Sequence, residues 1–337
     1  MKYSSRRRPV ITIMGTGAMA CLYGAYLSRY YAMAGCDARN QVYLFGSWQQ
    51  QIDEINKNGI SITAVDHAPF LSSPTATSDA AALPASDIVL VLVKSHQTIL
   101  IAPIIKHILN TNGICITLQN GLGNSEQLSR FIEEKQLITG TITNGAWIVR
   151  PGRVCYAGRG ETLLPRPAQN RSASLLYQLE EQLNCAEFST RMVTNIEEII
   201  WMKLAINAAI NPLTAILRIK NGELLEQPFL KKIVLKIVDE VTQIAISAGI
   251  RLDSAKTQET TLRVCAATAE NYSSMLQDVQ RSAMTEIDAI CGALIKKANG
   301  YNIACPFNMR LIELVKRREK GDTFSEGEFA EIFKDVR

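Results

Sequence analysis

Val10-Ile11-Thr12-Ile13-Met14-Gly15-Thr16-Gly17-Ala18-Met19-Ala20 is the stretch on which the reading of this chain turns. Its first five residues are apolar or β-branched and predict a buried strand. The glycines follow at once, and a helical spacing of apolar residues begins at Ala18 and runs to Tyr30. A strand, a glycine turn and a helix in this order suit a dinucleotide pyrophosphate. The first glycine permits a tight turn, and the second lets the backbone approach the phosphates. The third small residue, here Ala20, lets helix and strand pack closely, and the helix N-terminus offers N–H groups to the anion. Gly15, Thr16, Gly17, Ala18, Met19 and Ala20 are therefore candidate cofactor contacts.

Working outward, Gln41 to Phe45 reads as a second strand and ends in Gly46-Ser47-Trp48, with no carboxylate until Asp53. An acid at that strand end would hold the 2′-hydroxyl of NAD, so its absence favours NADP (NADPH), with Ser47 as a donor to the 2′-phosphate. No arginine stands there to clamp it. Asp87 to Val93 is almost wholly β-branched and aliphatic, as a central parallel strand should be. Ile114 to Leu118 and Ile138 to Thr143 repeat the pattern, and Pro151-Gly152 before Val154-Cys155-Tyr156 suggests a late hairpin. The expected fold is α/β: a Rossmann-type, doubly wound, mostly parallel sheet over 1–190, followed by an all-helical domain over 191–337. Helices are predicted over about 195–217, 228–249, 254–270, 278–299 and 308–320, and Arg166 to Ser174 reads as a surface loop.

Composition narrows the function classes. The net charge of +4 over 337 residues is diffuse, with no basic block interleaved with aromatics, which argues against nucleic acid. No apolar run is expected to span a bilayer, and the basic Met1 to Arg8 leads into a strand and a glycine turn rather than a cleavage site. The Arg6-Arg7-Arg8 run reads as a solvated tail. Eight cysteines without a Cys-x-x-Cys pair, and only three histidines (His67, His96, His107), predict no metal site and a reducing cytoplasmic setting.

Three polar segments resist explanation as packing. Lys94 follows a buried strand, at the end of an open sheet where ligands bind. Asn120-Gly121-Leu122-Gly123 follows the next strand. Lys203, Asn207 and Asn211 are spaced by four on an otherwise apolar segment, so a helix would align them in one stripe. Asparagine is a poor interior helix residue, and buried polar groups need partners, which a ligand's oxygens would supply. Pro212 is expected to kink or end that helix.

The run from Lys203-Leu204-Ala205-Ile206-Asn207 through Asn211-Pro212-Leu213-Thr214-Ala215 to Asn221-Gly222-Glu223-Leu224 resembles the ketopantoate reductase family. Glu270-Asn271-Tyr272-Ser273-Ser274-Met275-Leu276-Gln277-Asp278 and Thr285-Glu286-Ile287-Asp288 do so as well, and the glycine turn, Lys94 and Asn120-Gly121-Leu122-Gly123 match in the same order. The resemblance implies NADPH-dependent reduction of 2-dehydropantoate to pantoate, on the route to pantothenate and coenzyme A. It implies Lys203 as proton donor and Asn120 as the residue orienting nicotinamide and substrate. It further implies Asn207, Asn211, Asn221 and Ser274 as substrate contacts, with Lys94, Ala146 and Glu286 at the cofactor. A lysine in an apolar helix should have a lowered pKa, suited to an acid working near neutrality. Ser274 also reads as a helix cap paired with Gln277. The chain departs from the family in lacking a basic residue at Ser47.

Two alternatives stand beside this reading. One is a related reductase of another 2-oxo acid or an imine. The other is a cofactor-binding sensor without turnover, which loss of Lys203 would have favoured. A small 2-oxo acid is the expected partner, with no nucleic acid or membrane, and the protein is expected to be a monomer or homodimer.

Overall fold

The computed structural model describes residues 8–64, 68–167 and 171–336. The basic Met1 to Arg7, His67 and part of the predicted 166–174 loop lie outside these. The chain divides into two units, residues 1–119 with 124–196 and residues 120–123 with 197–337.

The first unit is built of β1 (Ile11–Met14), α1 (Ala18–Met33), β2 (Val42–Phe45), α2 (Gln49–Asn58), β3 (Ile60–Ala64), β4 (Phe70–Ser72), β5 (Thr75–Thr77) and β6 (Ser86–Val91). It continues through α3 (Thr98–Ile108), β7 (Leu109–Thr117), α4 (Asn124–Leu128), β8 (Leu137–Thr139), β9 (Thr141–Ile142), β10 (Gly145–Arg150), β11 (Arg153–Gly158), β12 (Thr162–Pro165), α5 (Arg171–Cys185) and β13 (Thr190–Val193). Six strands form one sheet in the order β5-β2-β1-β6-β7-β8, and every pairing in it is parallel. The chain leaves β1 toward β2 and returns on the other side at β6, which makes β1 and β6 the switch point of a doubly wound fold.

Two smaller sheets were not anticipated. One has the order β10-β11-β3-β4 and contains the expected Pro151-Gly152 hairpin, and the other is β13-β12-β9. The 138–143 run therefore splits into β8 and β9. Helix α1 packs against both β2 and the four-stranded sheet. That explains why it is apolar nearly all round, with Tyr23, Tyr26 and Tyr31 fully buried. Arg8 donates to the Ala34 carbonyl (3.1 Å) and to the Cys36 sulfur, so it is tethered where a solvated tail was expected. The expected 166–174 loop is shorter, because α5 begins at Arg171.

The second unit is helical: α6 (Ile196–Leu217), α7 (Glu223–Glu226), α8 (Pro228–Ser247), α9 (Ser254–Ala267), α10 (Ser274–Gln280), α11 (Ala293–Gly300), α12 (Pro306–Glu319) and α13 (Glu326–Ile332). Helices α6 and α8 supply much of its core, including Ala208, Leu213, Ile233 and Ile237. By length and composition α6 could cross a membrane, contrary to expectation, but 61% of its most apolar window is buried inside the protein. It is a core helix.

One further expectation is narrowed and another corrected. Of the two outcomes expected at Pro212, a kink or a stop, the stop does not occur, because α6 runs on to Leu217 with Asn211 and Leu213 buried. The Thr214 hydroxyl bonds the carbonyls of Ile210 (2.9 Å) and Asn211 (3.1 Å) in the turn around the proline. The predicted helix over 278–299 is broken. Helix α10 stops at Gln280, Ser282 takes φ +53°, and a π-helical turn at Asp288–Gly292 precedes α11.

Candidate active site

In the first unit the glycine turn sits at the carboxyl end of the central strand. Gly15 has φ +136°, and a Cβ there would lie 3.1 Å from the Leu92 carbonyl oxygen and 3.2 Å from the Ala20 methyl. Only glycine satisfies both the dihedral and the space. At Gly17 an added Cβ would meet nothing within 4 Å, so the turn is open on that side. Gly17 caps α1 without any side-chain hydrogen bond, leaving the positive end of a 16-residue helix to a ligand. The turn is held from behind. Gln51, fully buried on α2, donates to the Thr16 carbonyl (3.3 Å) and accepts from the Gly152 amide (2.9 Å). Sequence reading missed Gln51, because its partners lie 35 and 101 residues away.

Ser47 is exposed at the end of β2, beside the exposed Trp48. Lys94 stands half-buried just beyond β6, at the start of the turn that leads into α3. Ala146 lies in β10 opposite Tyr156 of β11.

The second unit brings Asn120, Lys203 and Glu286 together. Gly121 takes φ +81°, and a Cβ there would overlap the Ala289 carbonyl oxygen and lie 2.6 Å from its carbon. Leu122 donates its amide to the same oxygen (2.9 Å). Ala289 belongs to the π-helical turn, a device that re-routes carbonyls out of the regular ladder. The segment 120–123 is thereby docked, and Asn120 Nδ2 donates to Glu286 Oε2 at 3.1 Å. Glu286 is itself buried, and the preceding Thr285 is pinned through its amide (2.8 Å) and hydroxyl (2.7 Å) to Glu319 of α12. Burial pulls the Lys203 ammonium down to about 8, and the nearby Glu286 carboxylate limits the fall.

The stripe is present on α6. Lys203 and Asn207 are half-buried and Asn211 is buried. Among the described residues neither asparagine side chain has a protein hydrogen-bond partner, although each carries two donors and an acceptor. Asn221 is buried, gives its amide to the Thr268 hydroxyl (2.9 Å), and leaves Oδ1 buried without a partner among the described residues. Ser274 is exposed and is not the cap expected of it. Ser273 caps α10 through the Leu276 amide (3.1 Å) and also bonds Thr214 (2.7 Å). The cap lies one residue earlier, which frees the Ser274 hydroxyl from that duty.

A switch-point glycine turn in a parallel sheet, and a lysine tuned toward neutrality among uncommitted amides, are the equipment of a nicotinamide-dependent oxidoreductase. Comparison with known proteins gives the family. The description "Ketopantoate reductase PanE/ApbA" matches residues 11–169, and "Ketopantoate reductase PanE/ApbA C terminal" matches residues 195–319. The chain belongs to the ketopantoate reductase family. It is 33% identical to the 2-dehydropantoate 2-reductase of Archaeoglobus fulgidus, over 92% of this chain and 98% of that one. The ketopantoate reductase structure from Ralstonia eutropha JMP134 superposes with a TM-score of 0.81 at 26% identity, covering 92% of this chain and 98% of that one. D-mandelate dehydrogenase with NADH and anilino(oxo)acetate shares the fold, with a TM-score of 0.84 at 24% identity, covering 92% of this chain and 98% of that one.

Proposed function

We propose that this protein reduces 2-dehydropantoate to pantoate with NADPH, in the cytoplasm, as a step toward pantothenate and coenzyme A. One observation carries the reading: a lysine with its pKa drawn down to about 8 shares a helix with two asparagines whose amides have no protein partner among the described residues. The turn fits a dinucleotide, since Gly15 admits no side chain, Gly17 opens onto free space, and α1 starts without a side-chain cap. Gly15, Thr16, Gly17, Ala18, Met19 and Ala20 hold the pyrophosphate, Ser47 the ribose 2′-phosphate, and Lys94, Ala146, Asn120 and Glu286 the nicotinamide half. When bound, NADPH supplies the hydride.

The chain's own residues handle charge and protons. Asn207, Asn211, Asn221 and Ser274 orient the oxo acid by hydrogen bonds to its carboxylate, hydroxyl and carbonyl oxygens. Lys203 Nζ stabilises the oxygen as negative charge develops on it and then gives it a proton, which forms the 2-hydroxyl group. A pKa near 8 leaves most of the lysine charged at neutral pH while making the proton easier to release than from an ordinary ammonium. Glu286 keeps the ammonium charged, and its bond to Asn120 fixes that amide.

Initial rates with ketopantoate against unbranched 2-oxo acids, each with NADPH and with NADH, test the assignment. Highest kcat/KM with ketopantoate and NADPH supports it. A better substrate among the other acids would replace the substrate, and preference for NADH would replace the cofactor.

A further inference from the structure

The second unit contains a cavity of about 550 Å³ that includes none of the catalytic or substrate residues proposed above. Its wall is the carboxyl end of α6 at Leu217, the start of α8 at Pro228 and Phe229, Arg318 of α12, and Phe324 and Phe329 beside it. This volume falls within the range of about 300–1,000 Å³ typical of small-molecule sites, and the lining mixes apolar side chains with Gln227, Lys232 and one buried polar anchor.

That anchor is Arg318, 7% exposed. Its Nε donates to the Ile216 carbonyl (2.7 Å) and its Nη1 to the Asp322 carbonyl (2.8 Å). Both acceptors are neutral. The nearby carboxylates of Asp322 and Glu328 are taken by Arg317 at 3.0 and 3.2 Å, and among the described residues Arg318 Nη2 has no hydrogen-bond partner. Phe324 contacts both guanidinium groups, with Arg317 and Arg318 at 4.4 and 4.6 Å from its ring centre. Arg218 adds positive charge close to Arg318, the exposed Lys232 lines the cavity, and burial with Arg218 lowers the Arg318 pKa. The 20-residue helix α8 begins on this wall with Pro228 in its first turn and no side-chain cap, so its positive end faces the same space. A desolvated guanidinium without a carboxylate is costly, and an incoming carboxylate would meet a planar, prepaid donor.

We infer that this cavity is a binding site for a small carboxylic acid with an apolar body, its carboxylate on Arg318 and its hydrocarbon against Leu217, Phe229, Phe324 and Phe329. The site is separate from the reductase chemistry and does not depend on the proposed substrate.

Isothermal titration calorimetry of the full chain with octanoate, using 1-octanol as the uncharged counterpart, tests it. Octanoate should bind one per chain, at least about tenfold more tightly than octanol, the worth of one charge-assisted bond. Arg318→Met should remove that advantage, and Ala330→Phe, which fills the cavity and leaves Arg318 and its carbonyl bonds in place, should weaken octanoate by about tenfold or more. If Arg318→Met does not fold, judged by circular dichroism, Ala330→Phe decides. Equal binding of octanoate and octanol, octanoate binding unchanged in Ala330→Phe, or displacement of octanoate by ketopantoate would overturn the inference.

Discussion

Gly121→Ala should damage both stability and catalysis, and the structure supplies the magnitude and a matched control. Gly121 has φ +81° and Gly123 has φ +86°, so an alanine at either position is forced into the left-handed region at about 1–2 kcal/mol. At Gly123 a new Cβ would meet nothing within 4 Å, and the dihedral is the whole cost. At Gly121 the Cβ would also overlap the Ala289 carbonyl, lying 2.6 Å from its carbon and 2.9 Å from its Cβ. These are backbone atoms and the root of a side chain, so the segment itself must move. Moving it strains or breaks the 2.9 Å Leu122–Ala289 hydrogen bond, worth about 0.5–1.5 kcal/mol, and leaves a carbonyl short of a donor. The expected loss is about 2–4 kcal/mol for Gly121→Ala against about 1–2 kcal/mol for Gly123→Ala. The displacement also carries Asn120 away from Glu286, so kcat/KM should fall at least about tenfold in the first variant and only slightly in the second. Urea unfolding and steady-state kinetics on both proteins provide the readout. Equal losses in the two variants would refute the docking argument, because only the Ala289 contact distinguishes them.

Further outcomes follow from the same geometry. Because the acid must be protonated, kcat should be level below about pH 8 and fall as pH rises through the Lys203 pKa; a profile flat to pH 10 would contradict this. Glu286 raises that pKa, so Glu286→Gln should move the alkaline limb to lower pH, and a shift the other way would reverse the electrostatic assignment. Burial lowers the Lys203 pKa from its ordinary 10.5, so between about pH 8 and 10.5 its own contribution to stability rises with pH, opposite in sign to that of the buried Cys21, Cys115 and Cys291 thiols, whose pKa values burial raises. Lys203→Met should remove that contribution, so thermal stability should fall more steeply between about pH 8 and 10.5 in the variant than in the parent, and it should stabilise the protein at pH 7. Ser47→Arg should raise the NADPH-to-NADH ratio of kcat/KM, and Ser47→Asp should lower it, each by about tenfold or more; no change in either would place the 2′-phosphate elsewhere. Glu240 accepts from the amides of Phe307 (2.7 Å) and Asn308 (3.1 Å) and from the Asn308 side chain (2.8 Å), so Glu240→Ala should cost about 2–4 kcal/mol through orphaned donors.

The parts of this molecule that were legible in its sequence are those specified by neighbours along the chain. Val10 to Ala20 announces strand, turn and helix because each step depends on adjacent residues. The Lys203, Asn207 and Asn211 stripe follows from helical spacing alone. What stayed hidden depends on distant contacts. Gln51 looks like an ordinary helix residue until Thr16 and Gly152 fold against it. Gly121 reads as a turn glycine, and nothing local indicates that Ala289 fills the space where its side chain would be. The strands of the four-stranded sheet are short, and their apolar faces make sense only once α1 lies against them. Pro212 left a kink or a stop open and α6 continues to Leu217, while the Ser274 cap was misplaced by one residue because Ser273 competes for the same role.

The central claim, that Lys203 is the proton donor in ketopantoate reduction, is tested most directly by pantoate formation in purified Lys203→Ala. Turnover with ketopantoate and NADPH should fall by about 10²–10⁴ while NADPH affinity stays close to that of the parent protein. A variant that binds NADPH and still makes pantoate at a near-normal rate would contradict the account.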